Sequence, residues 1–218
     1  MLATASPPET LADLLSQLGH VPLNRIRMFP PPGTATVEDV ARLCDREPKR
    51  LCELVDGVLV EKDMGFEESR LAAWLCIHLG KFVEDHDLGA VSVGDGPLRI
   101  LPDQVRYPDL AFLSYERISR ATTSKSVPSW VPTLAVEIIS ENNTKTEMAR
   151  KLRDYFEAGV NLVWYVDPPT RSVCVYRSPE SFITKCENDI LEGEDILPGF
   201  QISIREWFER ALRVRPSN

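Results

Sequence analysis

Residues 133–167 read TLAVEIISENNTKTEMARKLRDYFEAGVNLVWYVD and contain, in order, a strand, a helix and a second strand. Residues 133–139 are too continuously apolar for an edge strand, so we expect them at the centre of a sheet. Thr144 and Glu147 have the spacing of a capping box, and Gly159 stands where the helix should end. Residues 162–166 are again wholly apolar. The stretch therefore predicts an α/β fold around a buried sheet.

Further elements are predicted on both sides of this centre. Asp56-Gly57, between two apolar alternations, predicts a tight hairpin of residues 51–55 and 58–62. Apolar residues at helical spacing predict a long helix over residues 66–85. We also expect helices at 10–18, 36–44 and 203–212, strands at 90–93, 98–101, 110–113, 172–176 and 182–186, and a polar loop at 119–126.

The length and composition suit one globular domain. The chain has 218 residues, of which 43% are hydrophobic and 27% are charged. Residues 1–35 are rich in proline, so we expect a flexible N-terminal lead-in, a domain over residues 36–212 and a tail at residues 213–218.

The sequence also bears on location. No apolar run reaches the roughly 20 residues that a membrane-spanning helix needs, and residues 1–8 do not resemble a secretory signal. The five cysteines are scattered and odd in number, which argues for a reducing compartment. We therefore expect a cytoplasmic protein that does not associate with membranes.

The net charge of −8 bears on the possible partners. Proteins that bind nucleic acid tightly usually present a basic surface to the phosphates, so this charge argues against a strong binder. A divalent ion held by carboxylates would nevertheless supply positive charge locally.

Three acids occupy strand positions, where acids are normally depleted: Glu53, Asp109 and Glu137. A carboxylate among apolar residues is costly unless it is paired, hydrogen-bonded or bound to a cation. Residues 134–140 include no basic residue that could pair with Glu137. Mg²⁺ or Mn²⁺ prefers oxygen ligands and would satisfy converging carboxylates. Asp109 follows Pro108, however, and could instead cap a turn.

Several linked motifs resemble those of the Uma-two family of proposed bacterial endonucleases. They are CELVDG at 52–57, RYPDLAF at 106–112, AVEIIS at 135–140, Lys151-Leu152 with Tyr155, AGV at 158–160 and VWYVDP at 163–168. The resemblance runs from about residue 36 to residue 208. That family belongs to the PD-(D/E)xK superfamily, so the resemblance implies a restriction-endonuclease-like core with a mixed central sheet flanked by helices.

The resemblance implies a metal-dependent endonuclease that hydrolyses DNA phosphodiester bonds. Asp109 and Glu137 would hold Mg²⁺ or Mn²⁺, and Glu53 would bind a metal directly or through water. The strict signature has a lysine two residues after the glutamate, where this chain has Ile139. In the family the lysine is displaced to the following helix, which assigns the role to Lys151. That lysine would orient the attacking water or offset charge in the transition state.

Other interpretations of these helix residues stay open. Lys151 lies beside Arg150 and Arg153 and also fits a solvated helix face. Tyr155 shares a face with Lys151 and either hydrogen-bonds a phosphate or packs on the sheet.

The start of the long helix and the activity are open as well. Many relatives carry a histidine there, where this chain has Glu67 and Glu68, so one of these replaces it or the role is absent. One alternative function is a catalytically silent binding or assembly module that keeps the nuclease fold. Another is a nuclease that acts on RNA or on branched DNA. Duplex cutting would suit a homodimer, whose two sites face two strands.

Overall fold

The computed structural model describes residues 8–63, 65–118 and 126–214. Its helices are α1 (Leu11–Gln17), α2 (Val37–Cys44), α3 (Phe66–Asp85), α4 (Tyr115–Ile118), α5 (Lys145–Glu157) and α6 (Ile204–Ala211). Its strands are β1 (Cys52–Val55), β2 (Val58–Glu61), β3 (Gly89–Val93), β4 (Leu98–Leu101), β5 (Gln104–Arg106), β6 (Leu110–Ser114), β7 (Leu134–Ile138), β8 (Leu162–Asp167), β9 (Ser172–Tyr176), β10 (Phe182–Lys185), β11 (Ile190–Glu192) and β12 (Gln201–Ser203).

The central sheet has six strands in the order β10-β9-β8-β7-β6-β3. Its neighbouring strands are antiparallel except β7 and β8, which are parallel. A parallel pair needs a long crossover, and α5 supplies it. The predicted central position of β7 and the mixed α/β architecture with flanking helices are both confirmed.

The two faces of β7 bury different side chains, because successive residues of a strand point to opposite sides. Leu134, Val136 and Ile138 pack in one core with side chains from α3 and α6. Ala135 packs on the other face in a second core with α5. By the same alternation Glu137 belongs to the α5 face, which sets up the functional site.

A second sheet of four strands has the order β2-β1-β5-β4. The predicted hairpin joins β1 to β2, and its turn residues Asp56 and Gly57 both have positive φ. Strand β5 was not predicted, because the segment after Pro102 looked like a polar link and β5 contains one apolar residue, Val105. It leads through residues 107–109 into β6, and so connects the two sheets.

The N-terminal segment of residues 8–35 is packed against the domain. Leu14, Leu18, Val21 and Ile26 form one buried cluster with side chains of the β1–β2 hairpin. The expectation of a flexible lead-in is therefore wrong for these residues, because their spaced apolar side chains find a partner surface on the hairpin. Whether the segment is a separate unit from residues 36–212 stays a prediction.

Other expectations have mixed outcomes. The small hairpin of β11 and β12 was not predicted, whereas the edge strand β10 and the helix α6 are present. The predicted loop lies outside the described residues except for Ser126, and so does the tail beyond Val214. No helix in the described ranges is both long and apolar enough to cross a bilayer. No disulfide joins the five cysteines, all of which lie in described ranges.

Candidate active site

The candidate site lies where the two sheets meet α5. Glu53 belongs to β1, Asp109 directly precedes β6, and Glu137 lies near the end of β7. Lys151 comes from the second turn of α5. All four side chains are buried, with exposed fractions of 2%, 5%, 4% and 5% respectively. The structure therefore brings together all four residues that the sequence singled out.

Strand register brings Asp109 beside Glu137. Leu110 pairs with Val136 in the antiparallel ladder of β6 and β7. Asp109, one residue before Leu110, therefore stands beside Glu137, one residue after Val136. The backbone N–H of Ile138 donates to Asp109 Oδ2 at 2.7 Å. This bond holds the Asp109 carboxylate at the end of β7, where a turn-capping role would not place it.

Lys151 lies between two of the acids. Its Nζ is 3.0 Å from Glu53 Oε1 and 3.3 Å from Glu137 Oε2. Tyr155, one turn further on the same face of α5, donates its hydroxyl proton to Glu137 Oε1 at 2.5 Å. Lys151 is buried, so its interpretation as part of a solvated helix face is wrong. Arg153, two residues further along the helix, is exposed. Tyr155 is buried against the sheet and also binds Glu137.

Two further cations belong to the site and were missed by sequence reasoning. Arg106 donates to Glu53 Oε2 at 2.7 Å and also contacts Asp154. Lys62 Nζ is 2.8 Å from Asp109 Oδ1, and the Lys62 side chain is 5% exposed. Arg106 stands in the RYPDLAF motif and Lys62 ends a predicted strand, so a search for basic residues at strand ends would have found both.

The acids differ in proton affinity because their neighbours differ. Burial, together with the negative charges of Asp109 and Glu53, raises the pKa of Glu137 to about 7, although Lys151 opposes the shift. Burial also acts to raise the pKa of Glu53, but Lys151 and Arg106 outweigh it and lower that pKa to about 2. Burial acts to lower the pKa of Lys151, yet Glu137 and Glu53 hold it above its usual value. Lys151 is therefore a charged ammonium within the site.

Glu67 and Glu68 lie outside this group. Glu67 is exposed on the first turn of α3, and the Glu68 carboxylate lies against Gly65. Within the described residues, neither is hydrogen-bonded to a site acid. The structure thus gives no support to either of them replacing the histidine of the relatives.

The site acids are all paired with internal donors. Within the described ranges, no group of three or more Asp, Glu, His or Cys side chains is arranged to hold a metal ion. Instead, Lys62, Lys151 and Arg106 each pair with one or two of the carboxylates.

Comparison with known protein families assigns the chain to one of them. The model of the Uma2 family, which is described as "Putative restriction endonuclease", matches residues 37–205, which is most of the chain. The chain belongs to this family. All four candidate site residues and both additional cations lie inside the matched region of the Uma2 chain.

One solved structure is similar to the Uma2 chain over most of its length. It is a "putative nuclease belonging to DUF820" from Anabaena variabilis, at 17% sequence identity and a TM-score of 0.69. The similarity covers 81% of this chain and 98% of the other. The likeness establishes a restriction-endonuclease-like fold. No curated protein matches the sequence.

The Uma2 match begins after the N-terminal segment, although that segment touches the helix that carries Lys151. Arg25 forms a buried ion pair with Glu147 of α5, with Nη2 and Oε1 2.7 Å apart. The carbonyl oxygen of Gly19 accepts hydroxyl protons from Thr144 and Thr146 at 2.5 and 2.6 Å. Residues outside the family match therefore fix the start of α5.

Proposed function

We propose that this Uma2 protein is a metal-dependent endonuclease that hydrolyses phosphodiester bonds of DNA. The observation that carries the proposal is the buried Lys151 ammonium between Glu53 and Glu137, next to Asp109. Buried charges are costly to assemble, and a cluster with strongly shifted pKa values is more typical of a functional site than of a structural one.

The chemistry of the three acids suits a divalent metal, although in the ligand-free structure their carboxylates are paired with lysine and arginine side chains. Asp109, Glu137 and Glu53 offer carboxylate oxygens, which Mg²⁺ and Mn²⁺ prefer over nitrogen or sulfur. Lys62 Nζ also stands as a cation among three oxygen atoms, one of them from Asp109. The position beside Asp109 therefore already accommodates positive charge. We propose Asp109 and Glu137 as the central metal ligands, with Glu53 binding the metal directly or through water.

The residues of the chain would divide the work of hydrolysis. A bound Mg²⁺ or Mn²⁺ would lower the pKa of a water molecule and neutralise the phosphate. Lys151 offsets the negative charge that develops on the phosphorus-bound oxygens. Glu53, paired with Arg106, holds Lys151 in place and charged. Tyr155 fixes the orientation of the Glu137 carboxylate.

A second candidate function is a catalytically silent module that keeps the nuclease fold. The observation that favours it is the pairing of each site carboxylate with an internal cation, which leaves a stable cluster without a metal. Such a module would bind a partner or assemble with other copies without cutting nucleic acid.

The deciding experiment compares Asp109→Asn and Glu137→Gln with wild type in plasmid nicking with Mn²⁺. We expect both variants to fold and to lose cleavage at least 100-fold, because each removes a charged metal ligand. The melting temperature of wild type should rise with Mn²⁺, since a ligand of the folded state stabilises it, and that rise should vanish in Asp109→Asn.

Asp103→Asn is the matched control, because Asp103 is exposed in the same part of the chain. It should cleave and respond to Mn²⁺ like wild type. Cleavage by purified Asp109→Asn at the wild-type rate would contradict the proposal, and a wild type that neither cuts nor binds Mn²⁺ would favour the silent module.

The cleavage products also indicate the oligomeric state, and further assays indicate the substrate. A monomer would mainly nick plasmid, whereas a homodimer with two sites on two strands would linearise it. Parallel assays on RNA and on branched DNA test the alternative substrates. The five free cysteines support action in a reducing cytoplasm.

A further inference from the structure

Lys62 is a buried cation that the metal mechanism does not use. Its Nζ lies 2.8 Å from Asp109 Oδ1, 2.6 Å from the Tyr107 carbonyl oxygen and 3.1 Å from the Gly94 carbonyl oxygen. An ammonium group has three donors, so these three oxygens satisfy it. Lys62 therefore occupies one oxygen of the carboxylate that we propose as a metal ligand.

A count of charges shows why this contact matters. The three site acids face three buried cations: Glu53, Asp109 and Glu137 against Lys62, Arg106 and Lys151. Each of the three acids therefore has a cationic partner before any metal arrives. A divalent ion would add two positive charges and would compete with Lys62 for Asp109. The two cations repel each other strongly at such short range in a buried site.

An open cleft begins at Lys62. It has a volume of about 370 Å³ and is lined by Arg50, Leu51, Glu61 and Lys62. Arg50 Nη1 lies 2.6 Å from Glu61 Oε1, and Arg27 Nη1 lies 3.3 Å from the same atom. Two guanidinium groups thus share one carboxylate, which leaves the mouth of the cleft with a surplus positive charge. A phosphodiester group carries the complementary single negative charge.

We propose that Lys62 binds a substrate phosphate, that it rests on Asp109 in the ligand-free protein, and that it turns into this cleft when a divalent cation takes Asp109. The inference rests on the proposed function and adds a substrate-binding residue to it. Lys62 is long and unbranched, so rotation of its side chain is enough to exchange one oxygen partner for another. Arg50 and Arg27 would hold the neighbouring part of the phosphate backbone.

Two opposite effects follow from one residue. Removing the charge of Lys62 should strengthen the binding of the metal alone, because Asp109 loses its competitor. The same change should weaken the binding of DNA, because the phosphate loses a partner. A lysine that only stabilised the fold would not produce this combination of tighter metal binding and weaker DNA binding.

The test uses Lys62→Met and Lys62→Gln, with Mn²⁺ binding followed by the electron paramagnetic resonance signal of the free ion. We expect both variants to bind Mn²⁺ at least tenfold more tightly than wild type. Lys62→Gln retains a donor for the carbonyl oxygens. If a variant is unfolded in EDTA, Mn²⁺ should restore its fold, and failure to do so would overturn the inference.

The second arm measures the binding of a fluorescent duplex in Ca²⁺, after the duplex is verified to stay intact. Both Lys62 variants should bind it at least fivefold more weakly. Lys81→Met is the charge-matched control, because Lys81 is exposed on α3 and paired with Asp85, and it should match wild type in both arms.

The outcomes separate this inference from the proposed function. If Asp109→Asn abolishes Mn²⁺ binding but the Lys62 variants bind Mn²⁺ and DNA like wild type, the role of Lys62 is wrong and the metal site stands. If Asp109→Asn binds Mn²⁺ like wild type, the metal site is wrong and the inference fails with it.

Discussion

At Lys151, carboxylates from two different sheets share one ammonium. Glu53 has Arg106 as a second partner, whereas Glu137 is paired through Lys151 and the Tyr155 hydroxyl. Removing one partner of a buried ion pair leaves an uncompensated charge and typically costs about 3–5 kcal/mol. Lys151 therefore supports both the fold and the proposed chemistry, and the two roles have to be measured separately.

Lys151→Met should lower the single-turnover cleavage rate by roughly 100-fold or more at matched metal saturation, because the developing charge loses a positioned cation. The variant should also unfold at lower urea concentration than wild type. Its affinity for Mn²⁺ should not fall, since the acids lose a competing cation.

Arg153→Met is the control for Lys151→Met. Arg153 lies two residues along α5 but is exposed, so its replacement should leave rate and stability unchanged. A slow Arg153→Met together with a normal Lys151→Met would mean that the displaced-lysine assignment is wrong.

At the scale of elements, α5 is held at its N-terminus by the segment that precedes the family match. Gly19 approaches the helix so closely that a Cβ there would lie 2.5 Å from Glu147 N and 2.7 Å from the Thr146 carbonyl carbon. The Arg25–Glu147 ion pair lies at the same end of the helix. The position of Lys151 therefore depends on residues more than 100 positions earlier in the chain.

Gly19→Ala tests this contact, and Gly33→Ala is its control. Both glycines have positive φ, +77° and +89°, so alanine is strained at either one by about 1–2 kcal/mol. A Cβ at Gly33 meets nothing within 4 Å, whereas one at Gly19 collides with the backbone of α5. We expect urea unfolding to give a clearly larger loss for Gly19→Ala, and equal losses would contradict the close packing.

At the scale of the whole molecule, a net charge of −8 opposes nucleic-acid binding. The favourable charges are local: Lys62, Arg50 and Arg27 line or border the cleft beside the acids. A protein of this kind gains few phosphate contacts from its general surface. Its affinity for DNA should depend on the bound metal and on this cleft.

Duplex binding should therefore be undetectable in EDTA and appear when Ca²⁺ is added. The logarithm of the affinity should fall with the logarithm of salt concentration at a slope of about −3 or shallower, since each phosphate contact contributes about −0.9. Fluorescence anisotropy over a range of KCl concentrations measures both. Tight binding in EDTA with a steep salt dependence would instead reveal an extended basic surface.

The sequence by itself determined the main elements and the central residues of the site. Apolar periodicity predicted α3, β7 and α5, because burial of one face or of a whole strand leaves a repeat in the local sequence. Glu53, Asp109 and Glu137 were conspicuous as acids in or directly beside strands, and the family motifs pointed to Lys151. The metal and the chemistry stay proposals.

Only the tertiary structure decided how the buried charges are balanced. Arg106 and Glu53 are 53 positions apart in sequence, and Arg25 and Glu147 are 122 apart. Such pairs leave no local repeat, because they depend on which strands and helices become neighbours after folding. For the same reason the short strand β5 and the packing of residues 8–35 escaped prediction: their stability comes from contacts with distant elements, and their own sequence carries little trace of it.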